Sequence, residues 1–156
     1  MSAFTTRVLP FLLVGLVLTI VGGAVAYSVF ASTDELDDGP VDIVFDKAAC
    51  AACGMHVGEP PFAAQLTTKD GKTHAFDDPG CLFLYVAEQH PDVHSTWFRH
   101  HAEDRWIAAD RVAFVPIEKT PMGFGIGAVD VGTKGAIDLD EARRKCLDRT
   151  SGHGGR

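Results

Sequence analysis

The chain has 156 residues, of which 46% are hydrophobic and 22% charged, and its formal net charge is −7. That length holds one domain, and part of it goes to an apolar amino-terminal segment. Arg7 is the only charged side chain before Asp34; beyond it 14 − 1 = 13 basic residues face 21 acidic ones, a balance of 13 − 21 = −8 that argues against nucleic acid or an anionic membrane surface as partner.

From Val8 to Ala31 no residue is charged. A run of that length suffices for a membrane-spanning helix, which needs about 20 apolar residues. Pro10 lies near its start, where a helix tolerates proline. Arg7 flanks one end and Asp34, Glu35, Asp37 and Asp38 the other, so the positive-inside rule predicts a single-pass anchor. The domain then lies on the outer face of the cell membrane, periplasmic or extracellular. The alternative is a cleaved signal peptide ending at Val29-Phe30-Ala31, which exports the domain equally. Residues 1–31 are therefore read as anchor or signal, 32–40 as an acidic linker, 41–150 as the folded domain and 151–156 as a disordered tail.

Val41 to Phe45 alternates as a first strand should. It leads into Cys50-Ala51-Ala52-Cys53-Gly54-Met55-His56, the densest group of metal-binding side chains in the chain. Phe62–Thr68 and Lys72–Phe76 flank an Asp70-Gly71 turn and predict a hairpin that returns Phe76 to the end of this motif. Asp78 is a helix N-cap with Pro79 at the first helical position, and Leu82, Tyr85 and Val86 share one helical face before Pro91. Val93–Phe98 and Trp106–Ile117 read as strands, with Val112, Phe114 and Ile117 as core residues. After Thr120-Pro121-Met122-Gly123, Phe124–Val131 is a glycine-rich strand. Asp138 and Glu141 then open a second helix with Leu139, Ala142 and Cys146 on one face. The expected fold class is α+β, with antiparallel sheets and two strand-and-helix units behind the transmembrane helix.

Several chemistries compete for the cysteine motif. Covalent haem attachment needs His directly after the second Cys, where this chain has Gly54. A thioredoxin-like dithiol needs a helix after the C-x-x-C, and Gly54 with Pro60-Pro61 leaves no room for one. A structural zinc site would show a second Cys or His pair at finger spacing, and Cys81 and Cys146 stand singly. Two structural disulfides among the four cysteines remain an alternative in an oxidising compartment. Copper is favoured by sulfur: Met55 lies two residues from Cys53, and Met122 lies in a Pro-Met-Gly turn away from any apolar stripe. Thiolate and thioether donors together select Cu(I).

Cys53-Gly54-Met55, Ala64-Gln65, Asp70-Gly71, Phe76-Asp77-Asp78 with Cys81 after it, and Pro121-Met122-Gly123, in that order, resemble the NosL family. Members of that family are copper chaperones accessory to nitrous oxide reductase. The resemblance implies an α+β fold of two related units and Cu(I) held for delivery to a copper enzyme, with no catalysis. Its ligand candidates are Cys53, Met55 and Met122. Cys50 and His56 join them from local chemistry alone, His56 as a fourth ligand or a proton-sensitive gate. The expected partners are a copper-accepting enzyme or its maturation machinery, and the membrane through the amino-terminal helix. Family members are commonly lipoproteins, whereas this chain has no cysteine before Cys50; that departure leaves open which copper enzyme is served. The fold implied also resembles organomercurial lyases, the enzymatic alternative for the Cys50/Cys53 pair.

Overall fold

The computed structural model of the chain describes residues 14–25, 27 and 39–153. Two units divide it, Met1–Leu36 and Asp37–Arg156. In the first, residues 14–25 and 27 are helical. No helix among the described residues is long and apolar enough to cross a membrane. The remainder of the Val8–Ala31 segment, most of the 32–40 linker and residues 154–156 lie outside the described residues.

The second unit is α+β. β1 (Ala64–Thr68) and β2 (Thr73–Phe76) form the expected antiparallel hairpin. The Asp70-Gly71 signal closes it: Gly71 takes φ 82°, and the Thr68 N–H donates to the Lys72 carbonyl at 2.9 Å. Helix α1 (Pro79–Gln89) follows directly, started by Asp78, whose Oδ1 accepts from the Gly80 N–H at 2.9 Å. It ends at His90 in the left-handed region, just before Pro91. β3 (Val93–Arg99) pairs with β1, and β4 (Trp106–Ala108) pairs with β3, giving a four-stranded antiparallel sheet in the order β2-β1-β3-β4.

A second antiparallel sheet, in the order β6-β5-β7, is made of β5 (Val112–Pro116), β6 (Ile126–Asp130) and β7 (Ile137–Asp138). Helix α2 (Leu139–His153) leaves β7, with the Glu141 N–H capped by Asp138 Oδ1 at 2.8 Å. Each sheet thus leads to or encloses one helix, which is the strand-and-helix arrangement expected. The sheets meet where β3 runs on: His100 bridges Ala128 in parallel, and the His101 N–H donates to the Ala128 carbonyl at 2.9 Å. Their common core is aromatic. Phe83 of α1, Phe98 of β3 and Phe114 of β5 pack with ring centroids 5.2–5.9 Å apart, all fully buried.

Three expectations need correction. Val41–Phe45 is not a strand. Ile43 and Phe45 do pack on the core, which is the source of the alternation. Yet its backbone partner is a side chain: the amide of buried Gln65 accepts from the Val41 N–H at 2.8 Å and donates to the Val41 carbonyl at 3.0 Å. The chain then turns at Asp46 (φ 62°), so no ladder can extend. The single strand expected over Trp106–Ile117 is two, β4 and β5, because Ala109 and Asp110 turn the chain and put its halves in different sheets; Ile117 lies beyond β5 and is only half-buried. At the end, α2 runs through Ser151–His153, which the tail was expected to claim, since no proline or capping signal stops it earlier.

Candidate metal centre

The C-x-x-C motif folds into a tight knuckle. Its base is set by a bridge between Ala49 and His56 and by the Cys50 N–H donating to the Met55 carbonyl at 2.7 Å. The Gly54 N–H returns to the Cys50 carbonyl at 2.8 Å. Gly54 sits at φ +75°, where a Cβ would touch nothing but the backbone itself would be strained. The knuckle is held to β2 by the Ala51 N–H, which donates to the Ala75 carbonyl at 2.9 Å. This is the contact by which the hairpin returns to the motif.

Five residues past Phe76 in sequence, the first turn of α1 places Cys81 against the knuckle. The sulfur atoms of Cys50, Cys53 and Cys81 all lie within 4.8 Å of one another. Metal–thiolate bonds of about 2.3 Å separate the sulfurs of a trigonal site by roughly 4 Å, so the spacing suits a soft ion. Cys50 and Cys81 are each only 2% exposed, and Cys53 faces solvent. None of the four cysteines is in a disulfide.

The electrostatics of the group are uneven. A hydrogen bond from Cys81 lowers the Cys50 thiol to about 5, against the opposing effect of burial, with help from the backbone N–H groups of Asp77, Cys53 and Ala52. The same hydrogen bond, together with burial and the neighbouring sulfur charges, pushes Cys81 strongly up. Burial raises Cys53 too, opposed by the Met55 N–H. Cys50 is thus the thiol of the group that ionises most readily, and a binding soft cation would displace the remaining thiol protons to solvent. Cys146 stands apart on α2, raised to about 11 chiefly by burial, and does not belong to the group.

Two adjacent carboxylates hold the surrounding chain. Asp77 Oδ1 accepts from the Gly58 N–H at 2.9 Å, tying the exit of the motif to the end of β2. Asp78, wholly buried, caps α1 through Oδ1 and accepts the Met122 N–H at Oδ2 at 3.3 Å. Burial raises the Asp78 carboxyl, while the Gly80 N–H, the Thr120 hydroxyl and the Met122 N–H work the other way.

The expected site residues thus fall in four places. Cys50 and Cys53 are in the sulfur group. Met55 is 53% exposed beside Cys53, and Met122 is half-buried against the core that contains Cys50 and Cys81. His56 is exposed on the far arm of the knuckle, outside the sulfur group. Cys81 was not among the expected ligands. Its signal was the hairpin, which returns Phe76 to the motif, followed by an N-cap that puts position 81 in the first helical turn.

No family model and no curated protein matches this chain. Among solved structures, the crystal structure of the copper chaperone NosL from Shewanella denitrificans is similar at 19% identity and a TM-score of 0.49, over 70% of this chain and 87% of that one. Cys50, Cys53 and Cys81 form a group able to hold a metal ion.

Proposed function

We propose that this protein carries Cu(I) on Cys50, Cys53 and Cys81 and hands it to a copper-accepting enzyme or its maturation machinery on the outer face of the membrane. The observation that carries the reading is the three-sulfur group, buried on two sides and open at Cys53. Sulfur ligands select Cu(I) over the hard cations, and a three-thiol group whose Cys53 faces solvent can pass its ion to a partner. Met55, two residues from Cys53, and Met122, half-buried against the core that holds Cys50 and Cys81, are the thioethers assigned to complete the site, and exposed His56 is a further donor from outside the sulfur group. The apolar Val8–Ala31 segment anchors the domain, and the client is a copper enzyme such as nitrous oxide reductase. The protein performs no covalent chemistry; it binds and releases.

A dithiol oxidoreductase is the competing reading, since Cys53 is accessible beside a low-lying Cys50 thiol. Against it, both cysteines lie in a turn and not at a helix start. Titrating the reduced protein with Cu(I) against a chromophoric chelator separates the readings. We expect a single tight equivalent that is lost in Cys53→Ser and in Cys50→Ser. Unchanged affinity in the double variant, or turnover of a dithiol or organomercurial substrate, would sink the carrier reading; retention of Zn(II) in preference to Cu(I) would reassign the ion.

A further inference from the structure

Thr120–Phe124 is far from Cys81 in sequence, yet it is fastened to the helix turn that carries Cys81 at two points. One is Asp78. Its two carboxylate oxygens serve different elements: Oδ1 takes the Gly80 N–H of α1 at 2.9 Å, and Oδ2 takes the Met122 N–H at 3.3 Å. The Thr120 hydroxyl, which accepts from the Gly125 N–H at 3.1 Å, also bonds Asp78. The other point is Gly80, where a Cβ would stand 2.0 Å from the Phe124 ring, so the loop lies directly on the first turn of α1. A fully buried carboxylate shared between a helix cap and a distant loop is more than the cap needs, because one oxygen satisfies an N-cap.

We propose that Asp78 is a positioning residue that couples the Met122 loop to the Cys81 helix turn, so that the Met122 thioether reaches the three thiols only while both carboxylate oxygens are engaged. The inference rests on the Cu(I) reading of the sulfur group and extends it to the residue that assembles the site. Outer-shell partners of metal ligands generally matter about 10–100-fold in affinity.

Asparagine is the informative replacement. It caps a helix about as well as aspartate, but it has one acceptor oxygen where the carboxylate has two. Asp78→Asn therefore keeps the Gly80 bond or the Met122 bond, and the cap, closed within three residues, wins over the long-range contact. The full-length reduced protein is compared with Asp78→Asn, Met122→Ile and the double variant, by Cu(I) affinity against a chelator and by amide hydrogen exchange without metal.

We expect Asp78→Asn to weaken Cu(I) about 10-fold, as Met122→Ile does, and the double variant to be no weaker than either. In the metal-free protein the Met122 amide loses protection while the amides of α1 keep theirs. Additive losses in the double variant, or full affinity in Asp78→Asn, overturn the coupling. So does unchanged exchange at Met122, which reports on positioning whether or not copper is the cargo. A wild-type protein that binds no Cu(I) while Met122 exchange responds as expected overturns the copper reading instead and, with it, the thioether's role at the thiols. Loss of protection throughout α1 would show Asp78 to be a cap alone and would also overturn the coupling.

Discussion

A cysteine's neighbours decide what it can do, and the four cysteines here divide accordingly. Cys50 lies among backbone N–H groups and the Cys81 thiol, which favour its anion, whereas Cys146 is buried on the opposite helix with its proton held on. Cys81→Ser should therefore lower Cu(I) affinity by more than the roughly 10–100-fold typical of an outer-shell change, and Cys146→Ser should leave it as it is. Competition against a chelator measures both; equal losses would mean that the ion is not held where the three sulfurs meet. Part of the sulfur group was legible from the residues, because Cys50 and Cys53 stand together within seven consecutive residues that also hold Met55. Met122 drew notice for its turn, and it lies half-buried against the core. Cys81 was harder, because Cys-Leu-Phe-Leu-Tyr-Val is also what a core-facing helix looks like, and only the return of the hairpin brings its thiol to the other two.

Among the elements, the knuckle and the junction of the sheets are each held by identifiable local chemistry. Gly54 adopts φ +75° with open space around it, so Gly54→Ala adds backbone strain of about 1–2 kcal/mol and no clash. We expect a stability loss of that order in urea unfolding, with partial recovery in Gly54→Asn. An Ala variant as stable as the wild type would show the left-handed turn to be dispensable. At the sheet junction, Arg105 bonds both Glu103 (2.6 Å) and Asp130 at the end of β6. Hydrogen bonds from Arg105 hold the Glu103 and Asp130 carboxyls below their ordinary range. A carboxyl lowered by folding adds stability above its unfolded pKa of about 4 and loses it as the pH falls through the lowered value. The urea midpoints of wild type and Arg105→Met should then differ at pH 7 and converge on acidification below about pH 4; a constant gap would mean that the contact is packing and not charge. Elements with their own signals were readable in advance: the Asp-Gly hairpin, the Asp78-Pro79 helix start and the Asp138 cap. Val41–Phe45 was not, because alternation reports which side chains face the core and says nothing of whether a neighbouring backbone is there to pair with. Here Gln65 takes that place.

Over the whole folded unit, Phe83, Phe98 and Phe114 join both sheets and α1 in one core. Phe114→Ala should cost about 3–5 kcal/mol. Amide exchange in β1 and in β6 should accelerate together; protection kept in one sheet alone would mean that the two unfold separately. Cys50 and Cys81 belong to that same buried core, and Cys53 is the solvent-facing member of the sulfur group. That geometry has a kinetic consequence. If the group carries an ion as proposed, the accessible approach is on the side of exposed Cys53, and an arriving thiol would bond the ion before the buried sulfurs let go. Departure is then second order: the observed rate should rise linearly with acceptor concentration in stopped-flow mixing, with an intercept near zero. Dilution would leave the cargo in place for as long as no acceptor arrives.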